Sequence, residues 1–289
     1  MNAARFHARF QRVLEYIDAH LDGDLSVEAL SGVAAFSKYH FHRQFSELFG
    51  VGVYQYVQLR RLKRASFELA FRDRKIIDVA LTSGYEGPES FSRAFRKNIG
   101  QSPSEFRKRP LWKPWHAVYQ SLNVLRAFHM KPEKHGQVKI IDFKETRVAV
   151  LEHRGDPGLI GDSIRRFIDW RKQNRLSPQI SATFNILYDD PARTDPGSYR
   201  LDLCAAIEGT VAGNEYGVVE KTIPGGRCAV IRHTGTDDAL GEIIAYLYSK
   251  WLPRSGEEPR DFPVYLQRVK FFPDVPETEA VVDIFLPLR

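Results

Sequence analysis

A repeat at an offset of fifty residues is the feature that most constrains how this 289-residue sequence folds. In each copy an apolar stretch leads through a short turn to a second stretch whose phenylalanines recur at helical spacing. Two helices joined by a short turn form a helix-turn-helix, so the repeat predicts two such units in one chain. The matching pairs are Phe41/Phe91, Arg43/Arg93, Phe45/Phe95, Gly50/Gly100 and Tyr56/Phe106.

The second helix of each unit is predicted to bury one face and to expose the others. In the first unit the apolar stripe consists of Phe41, Phe45 and Leu48. Ser26 and Ser37 are expected to cap the two helices of that unit, and Pro88 suits the first turn of a helix in the second unit. The polar residues beside the stripe remain available for contact with a partner.

Positive charge is concentrated in the same part of the sequence. Residues 1–115 contain 19 Lys and Arg against 12 Asp and Glu, a net charge of 19 − 12 = +7, whereas the remainder has 23 − 24 = −1. Such an excess attracts polyanions, because lysine and arginine displace counterions from phosphates. The N-terminal part is therefore predicted to contact nucleic acid.

The stretch YQYVQLRRLKRASFELAF between the two units indicates one long connecting helix. About twenty helical residues span about 30 Å, close to the roughly 34 Å of one DNA turn. Both second helices can then enter successive major grooves on one face of a duplex. This arrangement within one chain predicts an asymmetric DNA site bound by a monomer.

A second duplication, at an offset of eighty residues, occupies the C-terminal part. RVAVLEHRG at 147–155 aligns without gaps with RCAVIRHTG at 227–235. Each copy indicates an apolar strand, a glycine turn, a helix and two further strands. The chain is therefore predicted to be multidomain: an all-α double helix-turn-helix domain, then an α+β domain of two strand-helix-strand-strand repeats forming an antiparallel sheet backed by helices.

The expected domain division is 1–109 for the double helix-turn-helix, 110–137 for a linker and 138–289 for the α+β domain. Prolines and the polar stretch KPEKHGQ favour the linker, although QSLNVLRAF within it is compatible with a short docked helix. Two pseudosymmetric halves often leave a cavity between them, so a binding site is expected in the last domain.

Several classes of protein are disfavoured by composition. No apolar run approaches the roughly 18 residues of a membrane helix, and the start MNAARFHARFQRVLEYI is charged and amphipathic, so we expect a cytoplasmic protein without membrane contact. Cys204 and Cys228 are the only cysteines and are too far apart to predict a zinc site or a disulfide framework. Both are expected to be buried, and no metal or cofactor is predicted.

Residues 6–109 resemble the AraC/XylS family of transcription regulators. The resemblance rests on LSVEALSGVAAFSKYHFHRQFSELFGVGVYQYVQLRRLKRA and on IIDVALTSGYEGPESFSRAFRKNIGQSPSEFRK, which look like the family's first unit and its signature second unit. It implies a regulator that binds double-stranded DNA as a monomer, acts as an activator and engages RNA polymerase.

The resemblance also implies that a few exposed residues on each second helix touch bases. Arg43 and Arg93 can each donate two hydrogen bonds to guanine O6 and N7, and Glu89 can accept one from cytosine N4. Pairing with phosphate alone, or capping of a neighbouring helix, is the alternative for the arginines. The matching positions are Tyr39, His42 and Arg43, then Glu89, Ser90 and Arg93. Phosphate contacts are expected from Ser37, Lys38, Arg60, Arg96, Lys97 and Arg107, some of which are simply solvated charges in the alternative interpretation.

Residues 138–289 resemble the GyrI-like effector-binding domain through the duplicated pattern, KWLPRSG and the closing FPDVPETEAVVDIFLPL, and the domain order is similar to Rob-type regulators. This implies a small-molecule effector, aromatic in character, in an aromatic cavity with an acidic residue. Gln267 stands where relatives often have glutamate, so a neutral or anionic ligand fits as well as a cation. The candidate ligand-binding residues are Trp170, Tyr188, Tyr246, Trp251, Tyr265 and Gln267, with ordinary core packing as the alternative for the aromatic ones.

Two other functions for the C-terminal domain stay open at this point. Some relatives of the fold hydrolyse small molecules, but Glu208 and Asp283 form no catalytic spacing, and the sequence has no nucleophile elbow, metal-ligand cluster or phosphate-binding loop. His153 and His233 occupy equivalent repeat positions and are expected to be structural. No catalytic residue is predicted, and a protein-binding module is the remaining alternative to a sensor.

Overall fold

The computed structural model describes the backbone of residues 3–129 and 136–289 and the side chains of residues 8–120 and 136–289. This part of the chain forms two compact units. The helical unit contains the helices of the N-terminal part together with Phe272–Thr278, and the sheet unit contains the strands and their helices.

The helical unit contains the two predicted helix-turn-helix units. Its helices are α1 (Ala3–Ala19), α2 (Val27–Ala34), α3 (Lys38–Phe49), α4 (Val53–Phe71), α5 (Ile76–Thr82), α6 (Pro88–Ile99), α7 (Pro103–Lys108) and α8 (Trp112–His129). The first unit is α2–turn–α3 and the second is α5–turn–α6. The 19-residue α4 connects them, as predicted.

Helix ends follow most of the sequence signals. The Ser26 hydroxyl accepts a backbone N–H of the first turn of α2, and Pro88 begins α6. Gly50 and Gly100 end α3 and α6 with φ of 66° and 84°, a left-handed conformation that favours glycine and explains their place in the repeat. Ser37 occupies the N-cap position of α3 but its side chain makes no capping hydrogen bond, so that expectation is wrong.

The repeated phenylalanines form the core of the helical unit. Phe41 and Phe45 on α3, like Phe91 and Phe95 on α6, have no exposed surface. Aromatic side chains of this size bury about 150–250 Å² each, so the two stripes fix α3 and α6 against the unit. Leu48 is only half-buried, and Phe49 completes the first stripe instead.

A capping box begins α7 and is tied to α6. The Ser102 backbone N–H and hydroxyl both donate to the Glu105 carboxylate, at 2.7 and 2.8 Å, and the Glu105 N–H donates back to the Ser102 hydroxyl at 3.3 Å. Arg96 of α6 adds a bridge to the same carboxylate at 2.9 Å. The hydrogen bonds from Ser102, followed by the one from Arg96, lower the pKa of Glu105 to about 2.

The capping box predicts an acid-dependent loss of stability. Because the pKa of Glu105 falls from 4.5 to about 2 on folding, its contribution is complete above the unfolded value and is lost as the pH falls towards the folded one. Urea unfolding of wild type and Glu105→Gln should therefore differ by a constant amount at neutral pH and by progressively less below pH 4.5. A difference that is independent of pH down to the acid limit of folding would contradict this account.

The predicted linker contributes a helix to the helical unit. Within 110–137, α8 begins at Trp112, and Trp112, Trp115 and Tyr119 are buried. The Trp112 ring stacks on Phe71 of α4 with centroids 5.6 Å apart. The KPEKHGQ stretch lies largely outside the described residues.

The sheet unit is built on the predicted duplication, with one further strand in each half. Its strands are β1 (Lys139–Phe143), β2 (Thr146–Arg154), β3 (Thr183–Leu187), β4 (Arg200–Ala206), β5 (Val218–Ile223), β6 (Gly226–Thr234), β7 (Val264–Lys270) and β8 (Val281–Pro287). Its α-helices are α9 (Ile160–Gln173), α10 (Leu240–Tyr246) and α11 (Leu252–Ser255), and a π-helix, Leu247–Trp251, joins the last two. The antiparallel sheet has the order β1-β6-β8-β7-β3-β4-β2-β5. β1 pairs with β6 and β5 pairs with β2, so the first strand of each half of the sheet lies beside a strand of the other half.

The sheet has two different faces. Helices α9 and α10 pack on one, here called the helix face, through Phe167 and Ile243. The other, here called the aromatic face, carries Phe184, Tyr265 and Phe285. The rings of Tyr265 and Phe285 stack with centroids 4.8 Å apart. Both cysteines are buried in this aromatic face, as expected from the sequence.

Candidate DNA-binding surface and ligand-binding face

Helix α3 exposes the first set of base-readout candidates. Tyr39, His42 and Arg43 are exposed, and the Tyr39 side chain is 89% accessible. They lie away from Phe41 and Phe45 because the helical period places the buried positions on another side. An exposed tyrosine of this size is free to contact a partner.

Helix α6 presents the second set near its N-terminal end. Glu89 and Arg93 are exposed, whereas Ser90 is half-buried. The Ser90 hydroxyl donates to the Gly87 carbonyl at 3.0 Å. With its hydrogen used in this way, the hydroxyl can only accept a hydrogen bond from a DNA base. Glu89 and Arg93 are one helical turn apart and share a face.

The two arginines at the repeat position differ from Lys38 and Arg96 of the same helices. Among the described residues, neither Arg43 nor Arg93 forms an ion pair, although both are exposed. By contrast, Lys38 pairs with Glu28, and Arg96 pairs with Glu105. The guanidinium groups of Arg43 and Arg93 are thus available for a bidentate acceptor.

The phosphate candidates are placed in different environments. Ser37, Lys38, Arg96 and Lys97 are exposed along α3 and α6. Arg107 is half-buried and donates to the Arg74 carbonyl, so it helps to hold α7.

Arg60 is not available for a phosphate, and this expectation is corrected. Its side chain is 2% exposed and donates to Asp18 at 2.8 Å and to Glu277. Two further basic residues of α4 also turn towards protein: Arg61 donates to the carbonyls of Leu21 and Gly23, and Arg64 pairs with Asp22. The positive charge of the connecting helix therefore stabilises the helical unit.

On the aromatic face, each half of the sheet carries a buried aspartate that is already neutralised. Asp202 on β4 accepts from Lys221 at 2.8 Å, Arg154 at 2.9 Å and the Tyr188 hydroxyl at 2.9 Å. Asp283 on β8 accepts two hydrogen bonds from the Arg232 guanidinium, each at 2.7 Å. Burial by itself would lower the pKa of Lys221, but hydrogen bonds to Asp202 and Glu152 hold it above its ordinary value. Neither aspartate is left to pair with a cationic ligand.

Sequence reasoning considered Asp283 only as a catalytic candidate and did not predict the buried ion pairs of Asp202 and Asp283. The available signal was an aspartate inside an apolar strand in both copies, LDLCAA and VVDIFL, since a charge within a buried strand requires a partner. Their cationic partners lie on other strands, up to 51 residues away for Arg232.

The six ligand-binding candidates divide between the two faces. Tyr188, Tyr265 and Gln267 lie on the aromatic face, where Gln267 stands opposite Asp283 and Phe184 in the strand register. Trp170 lies in the core of the helix face, and Tyr246 and Trp251 pack against that same side. Trp170 is corrected to a core residue, whereas Tyr246 and Trp251 are half-buried on the helix face, which the sheet separates from the aromatic face.

The two repeat histidines have structural contacts. The His153 ring nitrogens contact the Ser163 hydroxyl at 2.9 Å and the Asp156 carbonyl at 3.2 Å. His233 contacts the Thr236 carbonyl at 2.9 Å. Both therefore fix the turn that follows their strand.

Comparison with known families accounts for both units. The model of the GyrI-like small molecule binding domain matches residues 136–289, more than half of the chain. This chain belongs to the GyrI-like family. A helix-turn-helix domain model matches residues 30–109, and the family resemblance predicted from the sequence is confirmed. This GyrI-like protein is a transcription regulator with an AraC-type DNA-binding domain and a small-molecule-binding domain.

Individual proteins show the same two similarities. The chain is 39% identical over 152 residues to the probable transcriptional regulator YgiV of Escherichia coli. The aligned residues make up 52% of this chain and 95% of YgiV. The chain is 32% identical over 100 residues to the transcriptional regulator Rob of Salmonella typhimurium, 35% of each protein. The crystal structure of the DNA-binding domain of AdpA with a target DNA is 28% identical, covers 36% of this chain and 97% of that one, and has a TM-score of 0.34.

The described residues show neither a metal-ligand cluster nor a membrane-spanning helix. They contain no group of three or more His, Cys, Asp or Glu side chains arranged to hold a metal ion. None of their helices is long and apolar enough to cross a membrane.

Proposed function

We propose that this GyrI-like regulator binds an asymmetric double-stranded DNA site as a monomer in the cytoplasm, with α3 and α6 in successive major grooves. The observation that carries the proposal is the pair Arg43 and Arg93, which are equivalent in the repeat, exposed and free of ion pairs among the described residues. The 19 residues of α4 span about 28 Å, compatible with the roughly 34 Å of one DNA turn.

Direct base readout is assigned to side chains on the two exposed helix faces. Arg43 and Arg93 each donate two hydrogen bonds to a guanine, and Glu89 accepts from a cytosine. Tyr39 and His42 add apolar or single hydrogen-bond contacts, and Ser90 accepts one hydrogen bond. Phosphates are contacted by Ser37, Lys38, Arg96 and Lys97, with Arg107 close to the same surface.

Footprinting on DNA selected by the purified full chain tests this assignment. One chain per duplex should protect two major-groove segments about 10 base pairs apart, with unrelated sequences in the two segments. A palindromic site, or two chains per site at saturation, would contradict monomeric binding.

Transcriptional output follows from contact with RNA polymerase. We infer activation from the resemblance to AraC/XylS regulators, and the test is transcription in vitro from a template that carries the selected site. The chain should raise the transcript level, and the same template with a scrambled site should not respond.

The aromatic face is proposed as the place where an aromatic effector binds, in contact with Tyr188 and Gln267, whereas Tyr265 has no exposed surface and belongs to the core of this face. Because Asp202 and Asp283 already have cationic partners, an uncharged or anionic ligand meets no unpaired carboxylate there. The face binds its ligand without converting it, and incubation with candidate compounds should leave them unchanged.

Ligand charge gives a prediction that thermal unfolding checks. Benzoate and 2-naphthol should raise the melting temperature of the full chain more than trimethylphenylammonium, because both buried aspartates of the aromatic face already have cationic partners. A ligand at about one hundred times its dissociation constant adds about 2.7 kcal/mol to the stability of the folded state. Gln267→Glu should reverse the order by adding a carboxylate beside Phe184. The matched control is Gln179→Glu on the exposed surface. Equal responses of Gln267→Glu and Gln179→Glu would contradict the placement of the ligand.

A further inference from the structure

The segment Phe272–Thr278 belongs to the helical unit although it connects two strands of the sheet. It follows β7, which ends at Lys270, and precedes β8, which begins at Val281. The chain therefore runs directly from the aromatic face into the DNA-binding unit and back again.

The first half of this segment makes an aromatic contact with α4 and an ionic contact with Arg72, the residue that follows it. The Phe272 ring meets Phe67 edge-on with centroids 5.0 Å apart. Asp274 accepts two hydrogen bonds from the Arg72 guanidinium, at 2.6 and 2.8 Å. A bidentate pair fixes orientation as well as distance.

Glu277 completes a buried charge cluster in the middle of α4. Its carboxylate accepts from Arg60 and, at 2.8 Å, from Lys63, while Asp18 of α1 binds the other side of Arg60. All four side chains are at most 11% exposed. Among the described side chains the cluster contains two cations and two carboxylates, and removal of Glu277 takes away the carboxylate that both cations share, which is costly inside a protein.

Burial by itself would lower the pKa of Arg60. The neighbouring carboxylates of Asp18 and Glu277 more than offset this and raise it above the ordinary value. The guanidinium is therefore held charged by a residue that comes from the far end of the sequence.

We propose that the 272–278 segment is the regulatory input to the DNA-binding unit: Glu277 holds α4, which joins the two helix-turn-helix units, in the form that binds DNA. This proposal rests on the proposed function of α3 and α6. Displacement of the segment lowers DNA affinity, because α4 no longer fixes the two recognition helices for simultaneous binding.

The strands on either side of the segment are those that a ligand on the aromatic face would touch. Tyr265 and Gln267 of β7 pair in register with Phe285 and Asp283 of β8. The register shifts by one residue between Arg268 and Lys270, immediately before the segment begins. In the proposed mechanism, a ligand that changes the spacing of these two strands displaces the segment that connects them.

The test compares Glu277→Gln with Glu279→Gln in the full chain. Glu279 is exposed, lies two residues away and belongs to the sheet unit, so it is the matched control. Fluorescence anisotropy with the selected DNA should show at least about a tenfold loss of affinity for Glu277→Gln, within the range of typical coupling between sites. Hydrogen exchange of α4 should increase in this variant alone. Equal affinity and equal exchange in the two variants would overturn the proposal.

A second variant keeps the test independent of misfolding. Asp274→Asn removes the more exposed ion pair with Arg72 and is expected to lower DNA affinity about fivefold with little loss of stability. Unchanged affinity for Asp274→Asn, together with a Glu277→Gln protein that merely unfolds, would also overturn it. Failure of the wild-type chain to select any DNA would instead refute the proposed function, while the hydrogen exchange of α4 would still report whether the segment holds this helix.

Discussion

Arg43→Ala and Arg93→Ala should each weaken binding to the selected DNA by about 1–3 kcal/mol, which is roughly five- to 150-fold. Both guanidinium groups are exposed and free of ion pairs among the described residues, so truncation removes a contact to DNA and little else. Affinity for a scrambled duplex should fall much less, because non-specific binding depends on the total phosphate contacts. Anisotropy titrations with both duplexes measure the difference.

The control for this pair of variants is Arg193→Ala in the sheet unit. Arg193 is also exposed, with 85% of its side chain accessible, and its one ion pair among the described residues is with Asp190, three residues earlier. It should leave both affinities unchanged. If Arg43→Ala and Arg93→Ala weakened the selected and scrambled duplexes equally, the two arginines would contact phosphate alone.

Arg60→Met should destabilise the helical unit by about 3–5 kcal/mol, the usual cost of leaving a buried charge without its partner. The change removes the buried ion pair between Arg60 and the Asp18 carboxylate, while Glu277 retains Lys63. Urea unfolding monitored by helical circular dichroism measures the loss. This result separates a structural role from the phosphate contact that the sequence alone suggested.

Lys97→Met is the comparison for Arg60→Met. Lys97 is exposed on α6, so its removal should leave stability unchanged and reduce the salt dependence of DNA binding by about 0.9 in the slope of log affinity against log salt concentration. A stable Arg60→Met protein with the same reduced salt slope would show that Arg60 contacts phosphate after all.

Local pattern was sufficient to predict the elements that form the two binding regions. The fifty-residue repeat predicted α3 and α6, because phenylalanines one helical turn apart must face a common core. The eighty-residue repeat predicted β2 and β6 through matched apolar runs that end at Gly155 and Gly235, both with positive φ. Strand β1 was missed because its residues are mostly exposed and carry little apolar periodicity.

Partners distant in sequence account for the errors. Helical spacing places Arg60 on a face of α4, but it does not reveal that Asp18 lies 42 residues before it or Glu277 217 residues after it. The same limit applies to Trp170, Tyr246 and Trp251, since an aromatic side chain in an amphipathic helix fits a core and a ligand wall equally well. Only the sheet topology assigns them to the helix face.

The most direct test of the central claim is selection of DNA from a random library by wild type, Arg43→Ala and Arg93→Ala. Wild type should select one asymmetric sequence with two preferred segments about 10 base pairs apart. Arg43→Ala should lose preference at one segment only, and Arg93→Ala at the other only. Loss at the same position in both variants, or a symmetric sequence selected by wild type, would contradict reading of the site by two unequal helices of a single chain.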